Sequence, residues 1–592
     1  MPQLHRRPTL SSRTSLEKIL PPYNLDKEAK QSFFEHLFCQ LASFRNEANL
    51  YGEVEVQLQF VDEGFDQDEA DIMDRRNDGH AQAIDRWARE FSRKAWVVCC
   101  ERDEEECPIL DPYADTSTRD LPPLPPQDNV AQLLNAIIFL HLTTAEEKQY
   151  SALTRAFLCK FEYFGLIDEG AIAWTLKNPE KAVQEVEEKH EQDGLTTRIV
   201  DKIRAAHGER SEVMRAVGIG LGAVAGGVLV GVTGGLAAPL VGAGLMAAVG
   251  WIPIAGPVVG LIMSGLVGSS AVCGALFGIY GAKSTVEMVE KHTRAVKDLK
   301  VVPVCGAQGE DIEVGVEDTL AVRLCVSGWL NSIGDVEGPW KVFEGDDTYA
   351  LQWEIEALME LSNALSVLLT SQAMEFATGE VLRRTMFATL MSSLAPLSLL
   401  KIGQIMDNPW MNARARATKV GAVLGELLAK RVFGNRPVTL VGYSLGSLVI
   451  YEALIHLASL PPSETVHLIQ DAYLFGTPAG AESADWVKIR RVVAGRVING
   501  YSDQDYVLAI LSRLSSASWS VAGLVPVPVK GIENIRCEEV LGHTLWGSKI
   551  GECLQKCKAP GTRVIPQTGA PDEPGKSPRE RSSVGLSASD MS

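Results

Sequence analysis

A serine hydroxyl becomes a nucleophile when a base takes its proton, and Ser444 stands where that could happen. It lies at the centre of Gly442-Tyr443-Ser444-Leu445-Gly446, between the apolar run Val438-Thr439-Leu440-Val441 and a helix-like segment from Ser447 to about Leu460. On a sharp strand-to-helix turn, small flanking residues let the backbone take a strained path that lifts the hydroxyl out of a sheet and points a helix N-terminus at it. With 52 glycines in 592 residues, chance supplies such a pentapeptide roughly 0.3 times per chain of this length, so the motif needs its context.

The base would be a histidine oriented by a carboxylate, in the chain order serine, acid, histidine that goes with this kind of turn. Only His456, His467 and His543 follow Ser444. His456 falls on the helix leaving the turn and His467 precedes a strand, whereas His543 follows the strand-like run Ile532 to Val540 in a Leu541-Gly542-His543-Thr544 turn. His543 is therefore the candidate base. Asp505, just after the strand Arg496 to Gly500, is the preferred acid, with Asp503 the alternative and Asp485 a distant third. One of the first two is expected only to cap the helix beginning near Tyr506. The oxyanion formed on acyl attack needs two preorganised N–H donors. The backbone of Leu445 supplies one, and the loop Ser327-Gly328-Trp329-Leu330 is expected to supply the other from Gly328 or Trp329. This chemistry requires no cofactor and no metal.

Such residues need a scaffold to bring them together. From about Val301 to Leu554 apolar runs alternate with helical stretches, the pattern of an α/β domain with a parallel sheet covered by helices. Predicted strands run from Leu320 to Val326, Tyr349 to Trp353, Val438 to Tyr443, Ala472 to Phe475, Arg496 to Gly500 and Ile532 to Val540. Helices from Glu356 to Thr370 and Ala413 to Arg431 separate the second strand from the third. The insertion Leu508 to Lys530, with Trp519, Val521, Leu524 and Val525, reads equally as a lid, as a wall for an acyl chain, or as core.

A second signal lies upstream, where no charged residue occurs from Ala216 to Ala282. That length suffices for two or three membrane spans of ~20 residues, and its many glycines would permit close helix packing in lipid. Pro239, Pro253 and Pro257 make the middle a turn or re-entrant piece. Lys202, Arg204, Arg210 and Arg215 precede the stretch; Lys283, Lys291, Arg294 and Lys297 follow it. The positive-inside bias then puts both flanks in the cytosol and predicts two crossings. Residues 1–15 have no apolar core of a secretory signal.

A chain of 592 residues is long enough for several domains. The expected organisation is a disordered start (1–27), a mostly helical acidic N-terminal domain (28–200), transmembrane helices with charged flanking helices (201–300), the hydrolase-like domain (301–557) and a disordered tail (558–592). The formal charge of −19 argues against nucleic acid as a partner, because phosphate binding needs a basic face. Eleven cysteines, an odd number, read as reduced thiols in a cytosolic setting. Cys99, Cys100 and Cys107 cluster, as do Cys553 and Cys557, but neither group has a histidine at ligand spacing, so no zinc site is expected. The Pro-rich run Leu121 to Pro126 reads as a stiff linker, and the flanking charged helices hold fewer than about three clean heptads of a coiled coil.

The segments Leu324 to Leu330, Pro437 to Ser447, Phe475-Gly476-Thr477-Pro478, Asp505 to Leu508 and Gly542-His543-Thr544, downstream of a Gly-rich apolar stretch, resemble the family of transmembrane and coiled-coil domain-containing protein 4. The resemblance spans about Val130 to Leu554 and implies a multi-pass membrane protein with an α/β-hydrolase-like domain of undefined substrate. Two functions compete. The first is a membrane-anchored lipase- or esterase-like serine hydrolase, with the lipid bilayer as partner and a lipid ester as substrate. The second is an inactive hydrolase-fold adaptor that recruits cytosolic protein partners. A channel is disfavoured, because the apolar stretch has no ionisable residue to line an ion path.

Overall fold

The computed structural model describes residues 15–178, apart from 23–24, 60–66, 113–114 and 145–148, and residues 298–563, apart from 305–318, 371–395, 483 and 516–519, with 181–182, 185 and 296 in addition. The charge-free stretch 216–282, nearly all of its flanking helical segments, and Trp519 lie outside the described residues. Among the described residues no helix is long and apolar enough to cross a membrane.

The N-terminal part is helical: α1 Ser15–Ile19, α2 Lys27–Gln59, α3 Gln67–Cys100, α4 Gln127–Thr144, α5 Ala152–Lys160 and α6 Glu169–Lys177. Phe33, Phe91, Phe139 and Phe157 are all fully buried in its core. The expected disorder of residues 1–27 is corrected at α1, where Leu16 and Ile19 bury completely and Lys18 pairs with Asp168 at 2.9 Å. The run before α4 is non-helical from Leu121 to Pro126, and the proline at its end is followed at once by the helix.

The remainder builds one seven-stranded sheet: β1 Leu299–Pro303, β2 Val322–Val326, β3 Asp347–Trp353, β4 Val438–Tyr443, β5 Ile469–Phe475, β6 Val497–Tyr501 and β7 Ile532–Arg536, in the order β1-β3-β2-β4-β5-β6-β7. Helices α7 Ile355–Thr370, α8 Pro396–Ala429, α9 Leu445–Ser459, α10 Pro462–Thr465, α11 Asp485–Val492, α12 Tyr506–Ser515 and α13 Trp546–Lys556 connect and cover it. All pairings are parallel except β1 with β3. Every residue of β2, β4 and β5 is buried, as strands covered on both faces must be. Only one residue of β7, at the far edge, is buried.

Six strands fall where the periodicity predicts them, although the last ends at Arg536 rather than Val540. The edge strand β1 does not: Leu299 and Lys300 were expected to end a solvated helix and instead pair with Trp353 and Gln352. The edge of a sheet whose first parallel strands are already buried offers unpaired backbone groups, and the Leu299–Pro303 segment, with Leu299 and Val301 turned into the core, satisfies them. The tail expected from residue 558 is also shorter. Glu344 N donates to Gly561 O at 2.7 Å and Arg323 reaches Pro560 O at 3.1 Å, so residues 558–563 are pinned to the domain.

The helical layer is joined to the sheet by buried charge. Arg155 on α5 bonds Glu169, Gln470 at the start of β5, and Asp346 just before β3; Arg323 on β2 shares Asp346 at 2.9 Å. Burial pushes the Asp346 carboxyl up, but Arg155 and Arg323 outweigh it and hold the group below its ordinary value. Arg491 on α11 pairs with Glu55 on α2, a second buried link.

The chain order fixes where a site can lie. From β2 the chain moves outward to β3, then crosses back through α7 and α8 to β4 on the other side of β2. Successive connections leave adjacent strands in opposite directions there, which opens a crevice beyond the carboxyl ends of β2 and β4. Those ends are Val326-Ser327-Gly328 and Tyr443-Ser444.

Candidate active site

Ser444 occupies the turn between β4 and α9 with φ 54° and ψ −128°. A non-glycine residue there is strained, and such strain persists only where the surroundings enforce it. They do so here through Ser444 N, which donates to Phe475 O at 2.8 Å, and through Ser447, whose hydroxyl is bonded to both the N and the O of Phe475. The neighbouring glycines are sterically required. A Cβ on Gly446 would lie 2.0 Å from Val326 O, and one on Gly328 would lie 2.2 Å from both Gly446 N and Tyr443 O.

The turn aims the hydroxyl at one histidine. Ser444 Oγ lies 2.6 Å from His543 Nε2, and His543 Nδ1 lies 2.8 Å from Asp505 Oδ2. Ser444 and Asp505 have no exposed surface, and His543 is 1% exposed. His543 opens a short 3-10 turn, His543–Leu545, that runs directly into α13. The first residue of α13, Trp546, donates its indole N–H to Asp505 Oδ2 at 2.8 Å. The other oxygen of Asp505 accepts from Leu508 N at 3.0 Å, which caps α12. Three donors thus converge on an acceptor-only group and fix its plane.

The structure sorts the other predicted residues. The expectation that one aspartate orients the base while the other caps the helix is corrected, because Asp505 does both with its two oxygens. Asp503 is an exposed surface residue bonded to Arg536 at 2.8 Å. Asp485 pairs with Lys488 at 2.7 Å. His456 bonds Glu426 at 3.1 Å on the flank of α9, and His467 bonds the Ser151 hydroxyl at 2.8 Å beneath the helical layer.

The candidate oxyanion donors lie side by side. Leu445 provides the first N–H of α9, a group with no partner inside its own helix. The imagined Cβ of Gly328 falls 2.3 Å from that nitrogen, so the Ser327–Leu330 loop presses directly on the first turn. Three buried aromatic groups hold the loop: Trp340 donates to Ser327 Oγ (3.0 Å), Trp353 to Ser327 O (3.0 Å), and Tyr443 to Trp329 O (3.1 Å). Burial pushes the Tyr443 phenol up, so it stays a donor. The Trp329 ring stands edge-on to the His543 imidazole, with ring centroids 6.4 Å apart.

The insertion between Asp505 and His543 is largely core. Val521 is buried and bridges Gly480, Leu524 and Val525 pack on the sheet core, and Gly523 O accepts from Ser502 N at 3.0 Å. Two groups escaped the sequence reading. Trp546, an aromatic at a helix start, gives no sign that its N–H serves a carboxylate. Cys553 was grouped with Cys557, but the structure places it with Cys537 and Glu539 instead.

An uncharacterized membrane protein of Schizosaccharomyces pombe is 36% identical over 355 residues, covering 58% of this chain and 59% of the relative. A "transmembrane and coiled-coil domain-containing protein STS1" of Oryza sativa subsp. japonica is 33% identical over 353 residues, 57% of this chain and 51% of the relative. A protein of Saccharomyces cerevisiae named "Probable lipase MIL1" is 35% identical over 298 residues, 47% of this chain and 27% of the relative. This chain thus spans less than two thirds of the length of each of these relatives. No solved structure matches. A family model described as a protein of unknown function, DUF726, matches residues 211–559, more than half of the chain and all of Ser444, Asp505 and His543. The chain belongs to the DUF726 family.

Proposed function

We propose that this chain is a membrane-anchored serine hydrolase of the lipase or esterase type, with an α/β-hydrolase-like catalytic domain. The carrying observation is the continuous relay from Ser444 through His543 to Asp505, at 2.6 and 2.8 Å. The name of the yeast relative agrees with it. His543 Nε2 takes the Ser444 proton as Oγ attacks an ester carbonyl, while Asp505 holds the ring and stabilises the imidazolium. The N–H of Leu445, with a backbone N–H of Gly328 or Trp329, receives the oxyanion. The intermediate collapses, His543 protonates the departing alkoxide, and the acyl group stays on Ser444. A water then attacks the acyl carbonyl as His543 takes its proton, and His543 returns that proton to Ser444 Oγ as the acid leaves. No cofactor enters these steps.

The bilayer is the expected partner and a lipid ester the expected substrate, because residues 216–282 would hold the domain beside lipid, and several relatives are named as membrane proteins. Basic residues on both sides of that stretch support a cytosolic catalytic domain with two crossings. In sealed vesicles with the cytosolic face outward, added protease should digest the C-terminal region; its protection would overturn the orientation.

One observation favours the competing adaptor reading: Ser444 is entirely buried, as an unused scaffold would leave it. Fluorophosphonate labelling of the full chain in membranes separates the two. The hydrolase reading expects labelling of wild type and none of Ser444→Ala. Equal labelling of the two removes Ser444 as nucleophile, and no labelling of either, in native membranes and in detergent, leaves the adaptor.

A further inference from the structure

Below the His543 turn, three side chains that the relay does not use converge. Cys537 follows β7, Glu539 is two residues further along the same loop, and Cys553 faces them from α13. Their sulfur and oxygen atoms all lie within 4.8 Å of one another. Both cysteines have no exposed surface and are free thiols. Glu539 Oε1 is buried with no hydrogen bond of ordinary geometry, and the polar group set against its carboxylate is the Cys553 thiol. Leaving a carboxylate oxygen desolvated beside two thiols is costly unless a cation or proton meets it. Its other oxygen lies 3.6 Å from Lys556 Nζ, on the outer side of the cluster.

We propose that Cys537, Glu539 and Cys553 form a zinc site that fastens the loop carrying His543 to α13. Two sulfurs and one carboxylate oxygen suit a borderline-soft divalent ion, and they exclude magnesium and calcium, which need oxygen shells. Zinc–sulfur bonds of about 2.3 Å and zinc–oxygen bonds near 2.1 Å require the donor atoms to draw together by roughly 1 Å, within side-chain rotation. Water completes the tetrahedron. Binding forms two zinc–sulfur bonds and one zinc–oxygen bond and releases the two thiol protons to solvent. The resulting centre carries one net negative charge, which the Lys556 ammonium faces.

The placement gives the site its purpose. Cys537 N is anchored to Tyr501 O at 2.8 Å, and Val540 O receives the Ser502 hydroxyl at 2.7 Å, so the loop leaves the sheet edge beside the acid. His543 follows three residues after Val540, and Cys553 lies two turns beyond Trp546 on α13. A metal at the cluster would close a ring through the two segments that each bond Asp505, and none of its three ligands is itself bonded to Ser444, His543 or Asp505.

The test uses the full chain, purified in detergent without chelator under reducing conditions. Metal analysis should find about one zinc per chain. Replacing zinc with cobalt(II) should give thiolate-to-cobalt charge-transfer absorption and the visible bands of a tetrahedral centre. Cys537→Ser and Cys553→Ser should each lose the charge-transfer intensity, and Glu539→Gln should shift the visible bands. Should a variant fail to fold, wild type still decides. Stripping its metal should lower the unfolding temperature by about 5 °C, and zinc alone should restore it. Wild type that holds no zinc, binds no cobalt through sulfur and melts unchanged with chelator overturns the proposal, as does a Cys537–Cys553 disulfide that persists under reducing conditions.

Discussion

Trp546 and His543 share one oxygen: the indole N–H and the imidazole Nδ1 each lie 2.8 Å from Asp505 Oδ2. The carboxylate is thereby locked in the plane the imidazole needs, and a donor outside the relay does part of the locking. Trp546→Phe removes that donor and keeps an aromatic, though smaller, ring at the position. The rate of fluorophosphonate labelling is expected to fall about tenfold, the scale of one hydrogen bond to a charged group. Asp505→Asn turns an acceptor into a donor and forces the wrong imidazole tautomer, so labelling should fall by about 10⁴-fold. Equal losses for the two would mean that Trp546 acts through folding alone.

The strained backbone of Ser444 can be measured without its chemistry. Ser444→Ala and Ser444→Gly both lose the hydroxyl, but only glycine accepts φ 54° with ψ −128° without cost. Glycine is expected to be more stable than alanine by about 1–2 kcal/mol. Thermal unfolding of the two variants should differ by a few degrees, with Gly the higher. The reverse order, which ordinary helix preference would give, would show the turn to be relaxed.

Gly328 is expected to tolerate no side chain. A methyl group there meets backbone atoms at 2.2 Å on two sides, and backbone cannot swing away as a side chain can. Gly328→Ala should therefore cost more than about 3 kcal/mol and prevent soluble folding or displace the loop. Gly334→Ala, whose nearest neighbour is a serine hydroxyl at 3.5 Å, is the control and should leave the melting temperature within about a degree. Native melting of both variants would move the Ser327–Leu330 loop away from α9.

Three buried histidines tie stability to pH. Burial pushes His80 and His141 down to about 4 and His467 to about 3, reinforced by Arg491, Lys94 and Arg431 respectively. The folded form holds them neutral, whereas the unfolded chain protonates them near the ordinary histidine value of about 6.5. The stability they carry is complete above that value and is lost as pH falls from 6.5 through about 4. Each contributes a slope of about 1.4 kcal/mol per pH unit across that window. His141→Gln should remove one such increment from unfolding curves recorded between pH 6.5 and 4; an unchanged slope would place His141 in contact with water.

Much of the domain was legible because its signals are local. A fully buried parallel strand must be an apolar run, so β2, β4 and β5 declare themselves, and the glycines around Ser444 announce a turn too tight for side chains. His543 was reachable because only three histidines follow the serine. What escaped reading depends on partners distant in sequence. Leu299 to Pro303 is a strand only because β3 offers an open edge. Asp505 and Asp503 sit two residues apart with the same chemistry, and their separation into a buried orienting group and a surface ion pair comes from α12 and Arg536. Cys537 joins Cys553 only because the loop after β7 folds back on α13.

The antiparallel edge strand β1 carries a consequence for where the domain can travel. Leu299 is paired into the sheet only about 17 residues after Ala282, the last residue of the charge-free stretch, and a chain that short spans at most ~60 Å. Whatever holds the apolar stretch thus keeps the sheet on a leash about the length of two folded domains. For a substrate lying in the same plane, the search becomes two-dimensional, and the local supply of ester is set by surface density rather than by bulk solubility.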